Sequence, residues 1–341
     1  MYESMSTSSR AGLALIEAEM QRQHGDALAS FEGAADCAAR IAACARRSGR
    51  LLLVGMGGSH YVNRAAEPVY RTLGLDATAI VASELLAQPL PDRSRCVILT
   101  SQSGASGEIL QLLDQPAGQE ERFGLTLDGA SPLAQAVPSL IGAGGMERAF
   151  AATRSLLVSL ALHAAVVAAF GEPQDSALGL LRSPLDPSVD DAVNELLGSS
   201  AVILSGRGEL AGLAEAGALC LMELARVPAL ALEGGQFRHG PLEVLAPGVG
   251  VILLRTSGQP AGATQSLVRT CIAAGTRPVI FDASGETPVS GAVNIAFPRL
   301  QGFAAAFALL PALQQLLIRI AAGRVERVGE PLRSTKVTGI E

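Results

Sequence analysis

A chain of 341 residues, 49% hydrophobic and 17% charged, has enough apolar surface for two domains with cores of their own, which excludes the disordered class. Its net charge of −6, with no run of Lys or Arg, leaves no electrostatic footprint for nucleic acid, so an anionic substrate has to be captured by a local site. The five cysteines, Cys37, Cys44, Cys96, Cys220 and Cys271, show neither C-x-x-C spacing nor a His cluster, and Met1–Arg10 has no signal-peptide pattern. That combination points to reduced thiols in a cytoplasmic protein, with no disulfide frame and no zinc site.

Ala11–Arg47 carries helical periodicity at Leu13, Ile16 and Met20, then at Leu28, Phe31, Cys37, Ile41 and Cys44, which predicts two helices within residues 1–48. Arg50–Val54 is a strand, and Gly55-Met56-Gly57-Gly58-Ser59-His60 turns it into a helix running to about Leu73. Ala77–Ala82 and Cys96–Thr100 follow as strands, then Phe123–Leu127 ending at Asp128, a short edge at Ser139–Gly142, and an apolar helix over Ala151–Phe170. The longest apolar run, Leu156–Phe170, is too short for a membrane span and reads as a buried helix. Strands alternating with helices predict a parallel sheet covered on both faces, here a first domain over residues 49–172.

The turn after Cys96–Thr100 reads Ser101-Gln102-Ser103-Gly104-Ala105-Ser106, and a helix opens from Ser106. Such a turn aims several backbone N–H groups and hydroxyls at one spot, with the positive end of the helix dipole behind them. It contains no Lys or Arg, so an anion there is held by neutral donors, as in a phosphate nest. A phosphate ester, with about −1.5 to −2 charges and three acceptor oxygens, suits it. The competing reading is a serine-rich N-cap on an ordinary surface loop.

Gly171–Ser188, rich in Pro and Ser, reads as a linker, after which the pattern restarts over residues 189–325. Ala201–Leu204 is a strand, followed by Gly206-Arg207-Gly208 and a helix from about Glu209 to Arg226. Gly55-Met56-Gly57 and Gly206-Arg207-Gly208 are offset by 151 residues, while Val97–Gly104 and Val251–Gly258, like Asp128 and Asp282, are offset by 154. Landmarks in one order argue an internal duplication. The copies differ at the turn: Arg255 stands where the first has Ser101, and Gln259-Pro260 where it has Ala105-Ser106. The second copy also holds Glu233-Gly234-Gly235-Gln236-Phe237-Arg238-His239-Gly240-Pro241, a Gly/Pro-bounded loop around His239. Residues 326–341 form a polar tail that contains Lys336.

At these residues the sequence resembles the sugar isomerase family, and within it the isomerase portion of glutamine:fructose-6-phosphate aminotransferase and its stand-alone isomerase, deaminase and deglycase relatives. The likeness is carried by Gly57-Gly58-Ser59, by Ser101–Ser106, by Gly145-Met146-Glu147 leading to Ala152-Thr153-Arg154, by Gly206-Arg207-Gly208 leading to Glu223, by Arg238-His239-Gly240-Pro241, and by Lys336 near the end. The resemblance implies two flavodoxin-like three-layer α/β/α domains with parallel sheets and no metal or organic cofactor. It implies that Gly57, Gly58, Ser59, Ser101, Gln102, Ser103 and Ser106 hold a phosphorylated sugar. It also implies that Glu223 moves a proton between C1 and C2, that His239 opens the ring, and that Lys336 closes over the site. The family's histidine loop reaches the neighbouring subunit's site, which implies a homodimer. Cys220 stands where the aminotransferase has a lysine three residues before the base, Ala105 replaces an acidic residue, and Arg154 replaces a common lysine. No glutaminase portion and no N-terminal nucleophilic cysteine is found in these residues, so the expected reaction is isomerisation or release of an amine and not glutamine-dependent synthesis.

Glu223 follows Leu219-Cys220-Leu221-Met222, and burial there would raise its pKa toward the range a proton shuttle needs. The alternative is a structural ion pair with Arg226 or Arg207. His239 has the pKa range for proton transfer, with a solvated loop histidine as the lesser alternative. His60 could touch phosphate or stand behind it, while His24 and His163 read as surface and buried-helix residues. Gly206-Arg207-Gly208-Glu209-Leu210-Ala211 matches a dinucleotide fingerprint, a weak signal that sits in the second copy. A non-catalytic sugar-phosphate-binding regulator is the alternative to an enzyme; it would use the same cradle without needing Glu223, His239 and Lys336 together.

Overall fold

The computed structural model describes residues 11–258 and 261–336. The described chain divides into two compact units, one of Ala18–Arg182 with residues 333–336, the other of Ser183–Leu332 with residues 11–17. The first half runs α1 (Ala11–Gly33), α2 (Ala35–Ser48), β1 (Arg50–Gly55), α3 (Gly57–Thr72), β2 (Asp76–Val81), α4 (Ala82–Ala87), β3 (Arg95–Thr100), α5 (Gly107–Asp114), β4 (Glu120–Thr126), α6 (Pro132–Ala136), β5 (Ser139–Ile141), α7 (Arg154–Ala169) and α8 (Asp175–Arg182). The second half runs α9 (Asp190–Leu196), β6 (Ala201–Gly206), α10 (Glu209–Cys220), β7 (Ala229–Glu233), β8 (Val249–Thr256), α11 (Ala261–Ala273), β9 (Val279–Ala283), β10 (Val293–Ala296) and α12 (Gly302–Arg324).

Each unit is built on a five-stranded parallel sheet, in the order β2-β1-β3-β4-β5 in one and β10-β9-β8-β6-β7 in the other. Read from the opposite edge, the second order is the first one again. This is the flavodoxin-like arrangement, in which the connections diverge between β1 and β3, and again between β6 and β8. Central strands buried on both faces need uninterrupted apolar runs, and every residue of β3 and β9 is buried.

Strand register tests the duplication more sharply than the sequence does. Leu51 pairs with Cys96, and its counterpart 151 residues on, Val202, pairs with Gly250, which is 154 residues beyond Cys96. Thr100 pairs with Leu125, but Leu254 pairs with Phe281, 156 residues beyond Leu125. Asp282 therefore stands in the place of Thr126 and not of Asp128. A loop outside the sheet can change length by two residues at little cost, whereas the register cannot slip without turning core side chains outward.

Two further expectations are corrected. The Gly171–Ser188 linker contains α8, whose Ala177 and Leu181 are buried. The helix expected to reach Arg226 stops at Cys220 and continues as a π turn over Leu221–Ala225. In the polar tail Val328 is buried, and its carbonyl lies so close to Gly12 that a Cβ there would sit 2.4 Å from it. α12 is long and apolar enough to cross a membrane, yet 89% of its apolar window is buried, as in a core helix. Residues 337–341 lie outside the described residues.

Behind β3 runs a chain of wholly buried polar groups. The Tyr70 hydroxyl lies 3.0 Å from His163 Nδ1, His163 Nε2 lies 3.2 Å from Asn63 Oδ1, and the Thr100 hydroxyl donates to that oxygen at 2.9 Å. A neutral imidazole protonated on Nε2 satisfies both contacts. Burial pushes the His163 pKa down to about 3. The folded state thus refuses a proton that the unfolded chain accepts near pH 6.5, so stability is full above that pH and is lost as pH falls toward 3, at up to about 1.4 kcal/mol per pH unit. Urea midpoints measured from pH 7 to pH 4 should fall, and His163→Gln should flatten that fall. An unchanged slope in the variant would place the acid sensitivity elsewhere.

Candidate functional site

Parallel α/β sheets bind ligands beyond the carboxyl ends of their strands, where the strand order reverses. In the first unit that place is the end of β1 and β3, where Gly55 and Thr100 are paired. Gly57-Gly58-Ser59 leaves β1 and opens α3, and Ser101–Ser106 leaves β3 and opens α5. The first turn of each helix carries amides with no intrahelical acceptor. The two turns that hold the seven residues assigned to phosphate and sugar thus leave neighbouring strand ends.

The Ser101–Ser106 turn is held from below and leaves its donors on top. The Ser101 amide donates to Leu125 O, the Leu127 amide to Gln102 O, and the Leu133 amide to Gly104 O. The Thr126 hydroxyl also donates to Gln102 O, at 3.2 Å. Gly104 has φ +62°, and a Cβ on it would lie 2.1 Å from Ser131 Oγ, so only glycine fits. The Ser101 and Ser106 hydroxyls are 2.8 Å apart. Ser106 occupies the N-cap position of α5, but its side chain does not cap the helix, against the ordinary N-cap reading. Ser103 is buried and its hydroxyl accepts from the Ala105 amide. Gln102 Nε2 is buried without a hydrogen-bond partner in the protein, a donor held ready for an incoming acceptor. His60 Nδ1 is likewise buried and unpartnered, and burial together with Arg64 keeps that imidazole below its ordinary pKa.

Glu147 was not assigned a role from the sequence, although it lies in a motif that carries the resemblance. It is fully buried and accepts from the Thr153 amide (2.9 Å), the Thr153 hydroxyl (2.8 Å), the Arg154 amide (2.8 Å) and the Ser155 hydroxyl. Lys336 Nζ lies 3.4 Å from its second oxygen and 3.3 Å from Phe150 O, which fixes the tail in this unit. Arg154, in the place of a common lysine, is a packing residue. It is wholly buried and spends its guanidinium on Glu19 (2.5 Å), Asp26 (3.1 Å) and the carbonyls of Ala143 and Gly145. Burial pushes the Glu19 carboxyl up, but the Arg148 amide and the Arg154 guanidinium outweigh it and hold the group below the usual range.

In the second unit Glu223 sits on the π turn and is half-buried, more open than its apolar flanks suggest. Arg226, which closes the turn, is among the described residues the non-glycine one with positive φ, +55°, and its guanidinium donates to Glu330 O. Arg207 lies 3.7 Å from Glu233. Cys220 is buried, and burial, reinforced by the Glu223 charge, pushes its thiol up to about 12. It therefore stays protonated near neutrality and neither attacks as a thiolate nor replaces a lysine's charge. His239 is exposed, just after a single 3₁₀ turn at Gln236–Arg238 that buried Phe237 anchors, and Gly240 follows with φ +115°. Arg255, where the first copy has Ser101, is buried and bonded to Asp282 (3.0 Å) and Glu286. Among the described residues no group of three or more His, Cys, Asp or Glu side chains is placed to hold a metal ion.

No family model matches the chain. It is 28% identical over 257 residues to the glutamine–fructose-6-phosphate aminotransferase of Aeropyrum pernix, covering 68% of this chain and 41% of that one. It is 24% identical over 316 residues to the enzyme of the same name from Bradyrhizobium diazoefficiens, covering 86% and 52%. The chain thus spans about half the length of the curated relatives it matches. Among solved structures, the C-terminal domain of glucosamine-fructose-6-phosphate aminotransferase from Francisella tularensis superposes with a TM-score of 0.78 at 16% identity, covering 91% of this chain and 96% of that one. Glucosamine-6-phosphate deaminase from Thermotoga maritima gives 0.76 at 20% identity, covering 95% and 99%. Tagatose-6-phosphate ketose/aldose isomerase from Escherichia coli gives 0.76 at 19% identity, covering 98% and 100%. The chain carries the two-domain α/β fold of the sugar isomerases, and its homologues are the isomerase portions of glutamine–fructose-6-phosphate aminotransferases.

Proposed function

We propose that the chain is a phosphosugar-processing enzyme, an aldose–ketose isomerase or an amino-sugar-phosphate deaminase or deglycase acting on a hexose 6-phosphate. The observation that carries this is the neutral cradle at the end of β3: Ser101, Ser103 and Ser106 on one braced turn, with the unpartnered amide of Gln102 beside them. Hydroxyls and amides fixed in this way hold a phosphate dianion without a counter-charge. The names of the relatives, which carry fructose 6-phosphate, glucosamine 6-phosphate and tagatose 6-phosphate, support the substrate class.

In the reaction the cradle anchors the phosphate, and His239 gives a proton to the ring oxygen and takes one back from the anomeric hydroxyl as the bond between the anomeric carbon and the ring oxygen breaks. The Glu223 carboxylate then takes the proton from the carbon beside the carbonyl or imine while the adjoining hydroxyl or ammonium proton moves to the carbonyl oxygen or imine nitrogen, leaving an enediol or enolamine. The same proton returns to the neighbouring carbon, so the carboxylate is regenerated. With an amino sugar, hydrolysis of the resulting imine consumes water and releases ammonia. A half-buried carboxylate suits the shuttle, because it must be ionised to accept the proton and able to surrender it again. Lys336, held by Glu147, closes the tail over the site, and the chain acts as a homodimer whose His239 loops serve neighbouring sites.

Two variants test this. Glu223→Gln should lower kcat by about 10²- to 10⁴-fold with KM little changed, measured as aldose–ketose interconversion and ammonia release on a panel of hexose 6-phosphates and their amino derivatives. Unchanged turnover removes Glu223 from this role, and binding of the whole panel without any turnover by the unmodified protein would instead identify a regulator. Ser103→Ala combined with Ser106→Ala should weaken phosphorylated sugars by about tenfold or more while leaving their unphosphorylated analogues unaffected. Equal losses for both would contradict the cradle.

A further inference from the structure

The second copy has its own switch point, at the ends of β6 and β8, and the reaction above makes no use of it. A small open cavity of about 30 Å³ lies there, lined by Ser205, Gly206, Arg207, Gly234, Arg238 and Thr264 over a floor of leucines from β8 and α11. That is about two waters' worth of positions, room for one oxyanion group and not for a sugar ring. The lining is built differently from the first cradle. Arg255 has replaced the serine that opens that turn, and its charge is consumed internally by Asp282 and Glu286. Two other guanidiniums supply the positive charge.

Each is fixed by its surroundings. Arg207 crosses the loop where Gly234 leaves room for it, since a Cβ on Gly234 would lie 2.8 Å from Arg207 Nε. Arg238 follows buried Phe237 and donates to Ala263 O. The acidic neighbour is Glu233, whose Oε1 stands 3.7 Å from Arg207 Nε, near the limit of an ion pair. Its other oxygen accepts from the Gly235 and Gln236 amides. Two guanidiniums line the cavity and, among the described residues, no carboxylate does, with hydroxyls and glycines around them. Planar guanidinium forks in that setting select oxyanions.

We propose that the β6/β8 switch point is a second anion site, independent of the serine cradle, which binds a phosphate group through Arg207 and Arg238. Free phosphate and the phosphate of a monoester share the recognising chemistry. Titration calorimetry of the full chain carrying Ser103→Ala and Ser106→Ala, with inorganic phosphate and separately with glucose 6-phosphate, isolates the site and tells the two sources apart.

Phosphate binding should persist in that background. Adding Arg207→Gln, a partly exposed position that a glutamine fits, should weaken it by about tenfold or more, and Arg238→Gln should do the same. Absence of binding at millimolar phosphate in the serine background overturns the proposal, as does binding that neither arginine variant changes. If the serine variants leave sugar-phosphate KM untouched while arginine-dependent binding remains, the cradle fails and this site stands.

Discussion

A doubly charged ester held without a cation has to be held by donors that cannot turn away from it, and in the function we propose the end of β3 is where this chain meets that requirement. The strand is buried along its whole length, so its end cannot move without disturbing the sheet. The turn beyond it hangs from carbonyls and amides of β4 and α6, while Thr100 is tied through Asn63 to the buried His163 and Tyr70. Fixed dipoles of this kind pay their ordering cost during folding and owe none when the ligand arrives. Gly104 is the keystone, since both its left-handed φ and the closeness of Ser131 forbid any side chain.

Duplication gave the chain two such strand ends, and they have been put to different uses. One kept small hydroxyl side chains and a bare glycine. The other placed Arg255 at the equivalent of Ser101 and satisfied it with Asp282, which the strand pairing shows to be the counterpart of Thr126. In the first copy the Thr126 hydroxyl braces the Gln102 carbonyl, and in the second an aspartate at that position braces an arginine. A polar contact between neighbouring strand ends is kept in place while its chemistry changes from hydroxyl to ion pair. An arginine whose charge is neutralised from within cannot also serve an external phosphate at that point.

Much of this was legible in the amino acids. Buried parallel strands must be continuous apolar runs, so Cys96–Thr100 and Val251–Leu254 announced themselves, and the order of landmarks revealed the two copies. The hydroxyl turn was legible as a strand-to-helix turn because three serines, an amide and a glycine stand between a buried apolar run and a helical pattern. The features that escaped are contacts that no local spacing announces. Glu147 meets Thr153 to Ser155, six to eight residues on, only because the intervening loop folds back on it, and Lys336 lies 189 residues away. Arg154 looked like a changed ligand, yet its partners Glu19 and Asp26 lie well over a hundred residues earlier. The match of Asp128 to Asp282 failed because sequence offsets count loop residues that the sheet ignores.

The interruption at Leu221–Ala225 shows most clearly how local geometry and chemistry meet. α10 is apolar on nearly all sides, and a regular continuation would keep its next residues packed against the same surfaces. A π turn inserts the equivalent of one residue into the helix and rotates the residues beyond the insertion, which is why such turns recur at functional sites. Here the rotation leaves Leu221, Leu224 and Ala225 buried while Glu223 emerges halfway, still close enough to raise the Cys220 thiol. Ending the turn requires Arg226 to adopt the left-handed conformation, a cost of about 1–2 kcal/mol for a residue with a side chain. The bond from its guanidinium to Glu330 O helps to hold that geometry. A left-handed residue closes many helices, usually as a glycine; here an arginine takes that place at the end of the turn that leaves both Met222 and Glu223 outside the apolar core.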